Sequence, residues 1–131
     1  MVRSMRITVA GIEMIAQFLE NKNPKTCEAI LSSLPIEGVA NRWGDEIYFE
    51  VPVSVGLEKA QQTVVEGDVA YWPPGRAFCI FFGRTPASKG NEPCAASPVN
   101  VFAKIVGDAS VFRRVKDGDK VRIDRTDKEP G

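Results

Sequence analysis

The residues best equipped for chemistry are concentrated in two short strings. The first is RWGDEIY, which places Arg42, Trp43, Asp45, Glu46 and Tyr48 within seven positions. The second is YWPPGRAFCIFFG, which carries Trp72, Phe81 and Phe82. A guanidinium at a cleft can grip a carboxylate or a carbonyl in forked geometry. Clustered aromatics can line a ligand pocket while offering an N–H or O–H tip. A carboxylate can act as general base or hold a cation through water. Each residue also has a plainer use. Arg42 can pair with Asp45 or Glu46 on the surface, and the aromatics can be core. Asp45 can close the turn after Gly44, the commoner use of Asp beside Gly. Asp45 and Glu46 are adjacent, so on a strand they point to opposite faces and do not form a dyad.

What is missing narrows the chemistry further. The chain has no histidine, which removes Ser-His-Asp and Cys-His catalysis and most zinc sites. Three cysteines occur, Cys27, Cys79 and Cys94, with no CxxC pair. They read as reduced thiols, Cys27 and Cys79 in the core and Cys94 in a loop. Two carboxylates without further ligands are a poor metal signal, so no metal is expected. No GxGxxG or GxxxxGK[ST] run is present, and no cofactor is expected.

Positioning these residues requires a mainly β scaffold. Residues 5–10 (MRITVA) alternate as a strand, Gly11 breaks it, and residues 12–19 form the second arm of a hairpin. A helix is expected over residues 23–34, with Asn23 as its cap, Pro24 in its first turn and Pro35 as its stop. Cys27, Ile30, Leu31 and Leu34 form its apolar face. Strands are expected over 46–53, 69–72, 77–82, 99–106 and 120–124. The PPGR segment turns between two of them, with Gly75 free to take positive φ. Residues 84–98 read as a long loop, and 108–115 as a short helix capped by Asp108. Arg113, Arg114, Lys116, Lys120 and Arg122 alternate with acids, a solvated mixed-charge surface.

Composition sets the remaining bounds. The 131 residues carry 17 basic and 17 acidic side chains, and 44% are hydrophobic. That suits one domain over 1–131, with a core over about 5–124 and a polar tail at 125–131. Zero net charge gives no general pull toward nucleic acid or an anionic membrane. No apolar run reaches spanning length, and MVRSMRITVA lacks a secretory pattern. A cytoplasmic location is the expectation.

The segments LPIEGVANRWGDEIYFEVPV, EGDVAYWPPGRAFCIFFGRTP and SPVNVFAKIVGD together resemble the cyclophilin-like family of small bacterial and archaeal proteins. The resemblance spans nearly the whole chain. It implies a closed antiparallel β-barrel with one to two short helices, as in the cyclophilin prolyl isomerases. It also implies that Arg42 stands for the cyclophilin arginine, and that FCIFFG is similar to the stretch supplying an aromatic pocket residue. With VNVFAKIV aligned on Phe102, the cyclophilin histidine falls at Val99. Glu50 stands near the place of the usual glutamine.

The leading expectation is therefore a domain that binds a small ligand or peptide beside Arg42. Its cleft would be lined by Trp43, Tyr48, Trp72, Phe81 and Phe82, with Asp45 or Glu46 at the rim. The rivals are a weak peptidyl-prolyl isomerase and a non-catalytic subunit of an amide-hydrolysing complex. The subunit reading predicts a large exposed apolar patch and a stable partner or homodimer.

Overall fold

The structure, a computed structural model, describes residues 3–126. The chain starts with the hairpin β1 (Ser4–Val9) and β2 (Ile12–Phe18), paired antiparallel from Ser4–Gln17 to Val9–Ile12. Its two-residue turn puts Ala10 at φ 53° and Gly11 at φ 76°. Positive φ at both central residues matches the right-handed twist of the arms. Helix α1 (Pro24–Ser33) follows. Next come β3 (Ile36–Val39), β4 (Asn41–Arg42), β5 (Glu46–Glu50) and β6 (Gln61–Thr63). The remaining strands are β7 (Asp68–Trp72), β8 (Ala77–Phe81), β9 (Cys94–Val106) and β10 (Lys120–Arg125). Short 3-10 turns occupy Pro73–Gly75 and Ala109–Arg114.

Nine strands are hydrogen-bonded in the order β3-β10-β1-β2-β9-β7-β8-β5-β4, and β6 pairs with β9 off this path. The mainly β expectation holds, but the closed barrel does not: the sheet ends at β3 and β4 without a ladder joining them. The reason lies at Ala40, the single residue between them, and at Arg42 of β4. Ala40 N–H donates to the Asp119 carbonyl, and the Ala40 carbonyl accepts from Gly118 N–H. Arg42 N–H donates to Asp117 Oδ1 at 2.6 Å. The Asp117–Asp119 turn thus takes up backbone groups that closure would need. Beside this gap β3 meets β5 through packing. A Cβ on Gly38 would lie 2.8 Å from the Phe49 ring, so the strands approach face to face there.

One face of the sheet holds the main core. Met5, Ile7, Phe49, Phe78, Ile80, Phe102 and Ile123 pack there with the Cys27, Ile30 and Leu31 face of α1. The reverse face carries a second apolar cluster of Val64, Ala70, Ala77, Cys79, Phe81, Ala95, Val99 and Val101. Period-2 alternation produces both. Phe78 and Ile80 of β8 enter the first cluster, while Ala77, Cys79 and Phe81 enter the second. All five residues of β8 are buried as a result.

Several local expectations change. Asn23 precedes α1 but makes no side-chain cap. Its amide instead donates to the Val101 carbonyl at 2.7 Å, and its oxygen accepts from Lys59 N–H at 2.8 Å. The helix start is served by Glu58, whose carboxylate accepts from Lys25 N–H, Thr26 N–H and the Thr26 hydroxyl. In the PPGR turn the positive φ falls on Arg76, at 48°, and not on Gly75. Strand β9 starts at Cys94, so it absorbs the end of the expected 84–98 loop. Strand β10 runs to Arg125; residues 127–131 of the expected tail lie outside the described residues. Asp108 does cap its 3-10 turn, accepting from Ser110 N–H at 3.0 Å.

Candidate functional site

A cavity of about 200 Å³ opens on the reverse face of the sheet, among the second apolar cluster. Trp43, Glu46, Tyr48, Trp72, Cys79, Ala95, Ala96 and Val99 line it. Strand alternation explains the selection. On β5, Ile47 and Phe49 enter the main core, so Glu46 and Tyr48 face the other way. Tyr48 is in register with Cys79 on β8, and Cys79 with Ala70 on β7. Trp43 is held by its N–H donating to the Glu46 carbonyl at 2.9 Å.

The far wall comes from an irregularity in β9. Gln61 pairs with Val99 and Thr63 with Cys94. Two steps along β6 therefore face five along β9, and the excess carries Ala95 and Ala96 into the cavity wall. Bulges of this kind re-aim side chains at strand ends. Trp72 Nε1 donates to Ser97 Oγ at 2.7 Å, which fixes this bulge to the end of β7. Gly75 completes the seating of Trp72. A Cβ there would stand 2.6 Å from the indole ring.

Glu46 is the charged group of the cavity. Only 5% of it is exposed, and among the described residues it forms no ion pair. Burial pushes its carboxyl up to about 7, with the Cys79 thiol, a hydrogen-bond donor to the carboxylate, opposing the shift. Cys79 is pushed well above its ordinary value, by burial first and by Glu46 second. A carboxyl with this setting can donate or accept a hydrogen bond near neutral pH, and it can take up or release a proton there.

Four of the eight residues singled out from sequence meet in this cavity: Trp43, Glu46, Tyr48 and Trp72. The other four do not line it. Phe81 is fully buried in the second cluster and Phe82 in the main core. Arg42 turns away to a different assembly. Its Nε donates to the Gly44 carbonyl at 2.8 Å, and Nη1 to the carbonyls of Arg113 and Val115 at 2.9 and 2.8 Å. Nη2 reaches Asp45 Oδ1 at 3.2 Å. The guanidinium carbon sits 5.1 Å from the Phe82 ring centroid, in cation–π range. Asp45 also pairs with Arg113 at 3.5 Å, and a Cβ on Gly83 would collide with its carboxylate at 2.3 Å. Arg42 and Asp45 thereby hold the 109–114 turn against the sheet. Glu50 stays exposed and pairs with Arg76 at 3.5 Å.

Cys79, Ala95, Ala96 and Val99 are the lining residues that sequence reasoning did not select. Cys79 reads as core from its apolar neighbours. Val99 did carry a signal, since it is where the resemblance places the cyclophilin histidine. A second, larger depression of about 540 Å³ lies over β1, β3 and β10. The ion-paired Glu37 and Arg122 are among its lining residues, and none of the eight sequence candidates borders it. Among the described residues, no three acidic or cysteine side chains come together to hold a metal ion, and no helix is long and apolar enough to cross a membrane.

Comparison with known proteins agrees with the fold. The solution structure of a hypothetical protein from Archaeoglobus fulgidus is 41% identical, covers 95% of both chains and superposes with a TM-score of 0.81. The structure of McbB in complex with tryptophan matches with a TM-score of 0.72 at 15% identity, a likeness of fold alone. That match covers 97% of this chain and 46% of McbB. No curated protein matches the chain. The family model described as Cyclophilin-like matches residues 3–124, and the chain belongs to that family.

Proposed function

We propose that this protein binds a small molecule of about single-ring size in the cavity between β5, β7, β8 and the β9 bulge. The observation that supports this reading is the cavity's make-up: an apolar enclosure with one buried carboxyl and several polar tips. Its volume of about 200 Å³ lies below the usual range for drug-sized ligands, about 300–1,000 Å³. An apolar cavity of about 150 Å³ already holds benzene. One ring with a short substituent is therefore the size that fits, and a peptide segment is too large. McbB, a fold neighbour, is solved with tryptophan; at its low identity that ligand carries no weight here.

The prolyl-isomerase alternative would use Arg42 on the substrate. That guanidinium already serves Gly44, Asp45, Arg113 and Val115, and Val99 stands where a histidine would be needed. No observation favours that reading over simple binding.

The protein supplies its own reporter. Its two tryptophans, Trp43 and Trp72, both line the cavity. A panel of single-ring compounds titrated against tryptophan emission is expected to give saturable changes. Val99→Phe, which fills the cavity from β9, is expected to abolish them. Unchanged binding in Val99→Phe, or no response to any member of the panel, would overturn the proposal.

A further inference from the structure

We infer that the ligand of this cavity is a small organic cation, held by the Glu46 carboxylate and the rings of Trp43, Tyr48 and Trp72. This rests on the binding reading above and adds the sign of the ligand's charge.

Three observations lead to it. Glu46 is buried with only 5% exposure, yet no Arg or Lys lines the cavity. The cations on the neighbouring strands are engaged elsewhere: Arg42 with Asp45, Arg76 with Glu50 and Lys104 with Asp68. A buried carboxylate without a counter-charge is unfavourable, and a ligand ammonium would supply the missing partner. Secondly, three of the eight lining residues are Trp or Tyr. Their ring faces carry negative quadrupole density, which attracts organic cations when water is excluded. Thirdly, the remaining walls are Cys79, Ala95, Ala96 and Val99, which bring no positive charge to an anion. An anionic ligand would meet Glu46 with no basic group to offset it.

Proton linkage follows from the same geometry. The titratable groups that line the cavity with Glu46 are Tyr48 on its own strand and Cys79 on β8. Trp43 before β5, Trp72 of β7, and Ala95, Ala96 and Val99 of β9 do not ionise. Cys79 stays protonated because burial and Glu46 hold it up. Glu46, pushed up to about 7, is then the group whose proton leaves when a cation enters.

Benzylamine and benzyl alcohol make a matched pair of probes, alike in size and differing in charge. Both would be titrated by tryptophan emission into the wild type and into Glu46→Gln, above and below about pH 7. Benzylamine is expected to bind the wild type at least about tenfold more tightly than the alcohol above that pH. Its affinity should fall about tenfold per pH unit below it, while the alcohol's does not. Glu46→Gln should erase the preference and keep the alcohol's affinity. The wild-type pH profile decides the matter independently if that variant folds poorly. Equal or tighter binding of the alcohol overturns the cation inference and leaves the small-molecule proposal standing. Binding of benzylamine that ignores both pH and Glu46→Gln also overturns it. No response to either probe at millimolar concentration, with none from the wider panel, removes both.

Discussion

The indole of Trp72 donates to Ser97 Oγ at 2.7 Å, so the last residue of β7 is tied to the bulge of β9. The bond spans the two walls of the cavity. Trp72 also packs on Gly75, which leaves its ring little freedom. Ser97→Ala is expected to leave the indole N–H without this partner. Such a loss costs about 1 kcal/mol. The measurement is affinity for single-ring compounds with the emission maximum of the free protein. Affinity should fall several-fold and emission should shift toward that of a more solvated indole. An unchanged spectrum would mean that this bond does not shape the site.

Arg42 is predicted to be a stability residue. It combines one charged and three carbonyl acceptors with a ring contact. Charge-assisted bonds of this kind contribute about 1.5–3 kcal/mol each when one partner is lost, and they are not additive. Arg42→Ala should lower urea-unfolding stability by about 2–3 kcal/mol. Arg42→Lys should recover little, because an ammonium cannot reproduce the fork. Cavity affinity in Arg42→Ala, measured where the variant is folded, should remain within twofold of wild type. A large loss of affinity at full stability would return Arg42 to the site.

Stability should depend on pH through Glu46. Its folded value is raised to about 7 from an ordinary carboxyl value of 4.5, so the folded state holds a proton that the unfolded state releases. The contribution is fully present below about pH 4.5 and is lost as pH rises through about 7. Its size is on the order of 3 kcal/mol at one pKa unit per 1.36 kcal/mol. Chemical denaturation across this window should show wild type losing stability relative to Glu46→Gln. Parallel curves would mean that Glu46 is ordinary in the folded protein.

The β1–β2 turn contains a correctable mismatch. Ala10 adopts φ 53° ahead of Gly11 at 76°, a pairing that Asn-Gly suits better than Ala-Gly. Ala10→Asn should stabilise the fold by about 0.5–1 kcal/mol, read as a rise of a few degrees in Tm. The exposed turn lies away from the cavity, so binding should not change.

Much of this scaffold is legible in the chain. Gly11 marks the first hairpin, Pro24 and Pro35 bracket α1, and Asp108 caps its turn. The weaker parts have physical causes. The short strands β3, β4 and β6 are too brief to show a period. In β8, Ala77, Phe78, Cys79, Ile80 and Phe81 are all apolar, so alternation gives no face. The second cluster, and Cys79's place in the cavity, were hidden for that reason. Arg42's partners at Arg113 and Val115 lie 71 and 73 residues away, beyond any local pattern. The sheet stays open because the Asp117–Asp119 turn fills the gap, again a long-range contact. Trp43, just before β5, Glu46 and Tyr48 of β5 and Trp72 of β7 converge because the two strands flank β8 and present the same face of the sheet. Their clustering in two unusual strings was visible, but the face they share was not.

In the proposed site Glu46 is a buried carboxyl that reads the charge of the ligand. Carbon-13 NMR of the Glu46 side chain, followed through a pH titration with and without saturating benzylamine, tests it most directly. The expected midpoint is about 7 in the free protein, with a fall of about one unit or more when the amine is bound. A midpoint near the ordinary carboxyl value of 4.5, or one that the bound amine leaves in place, would contradict it.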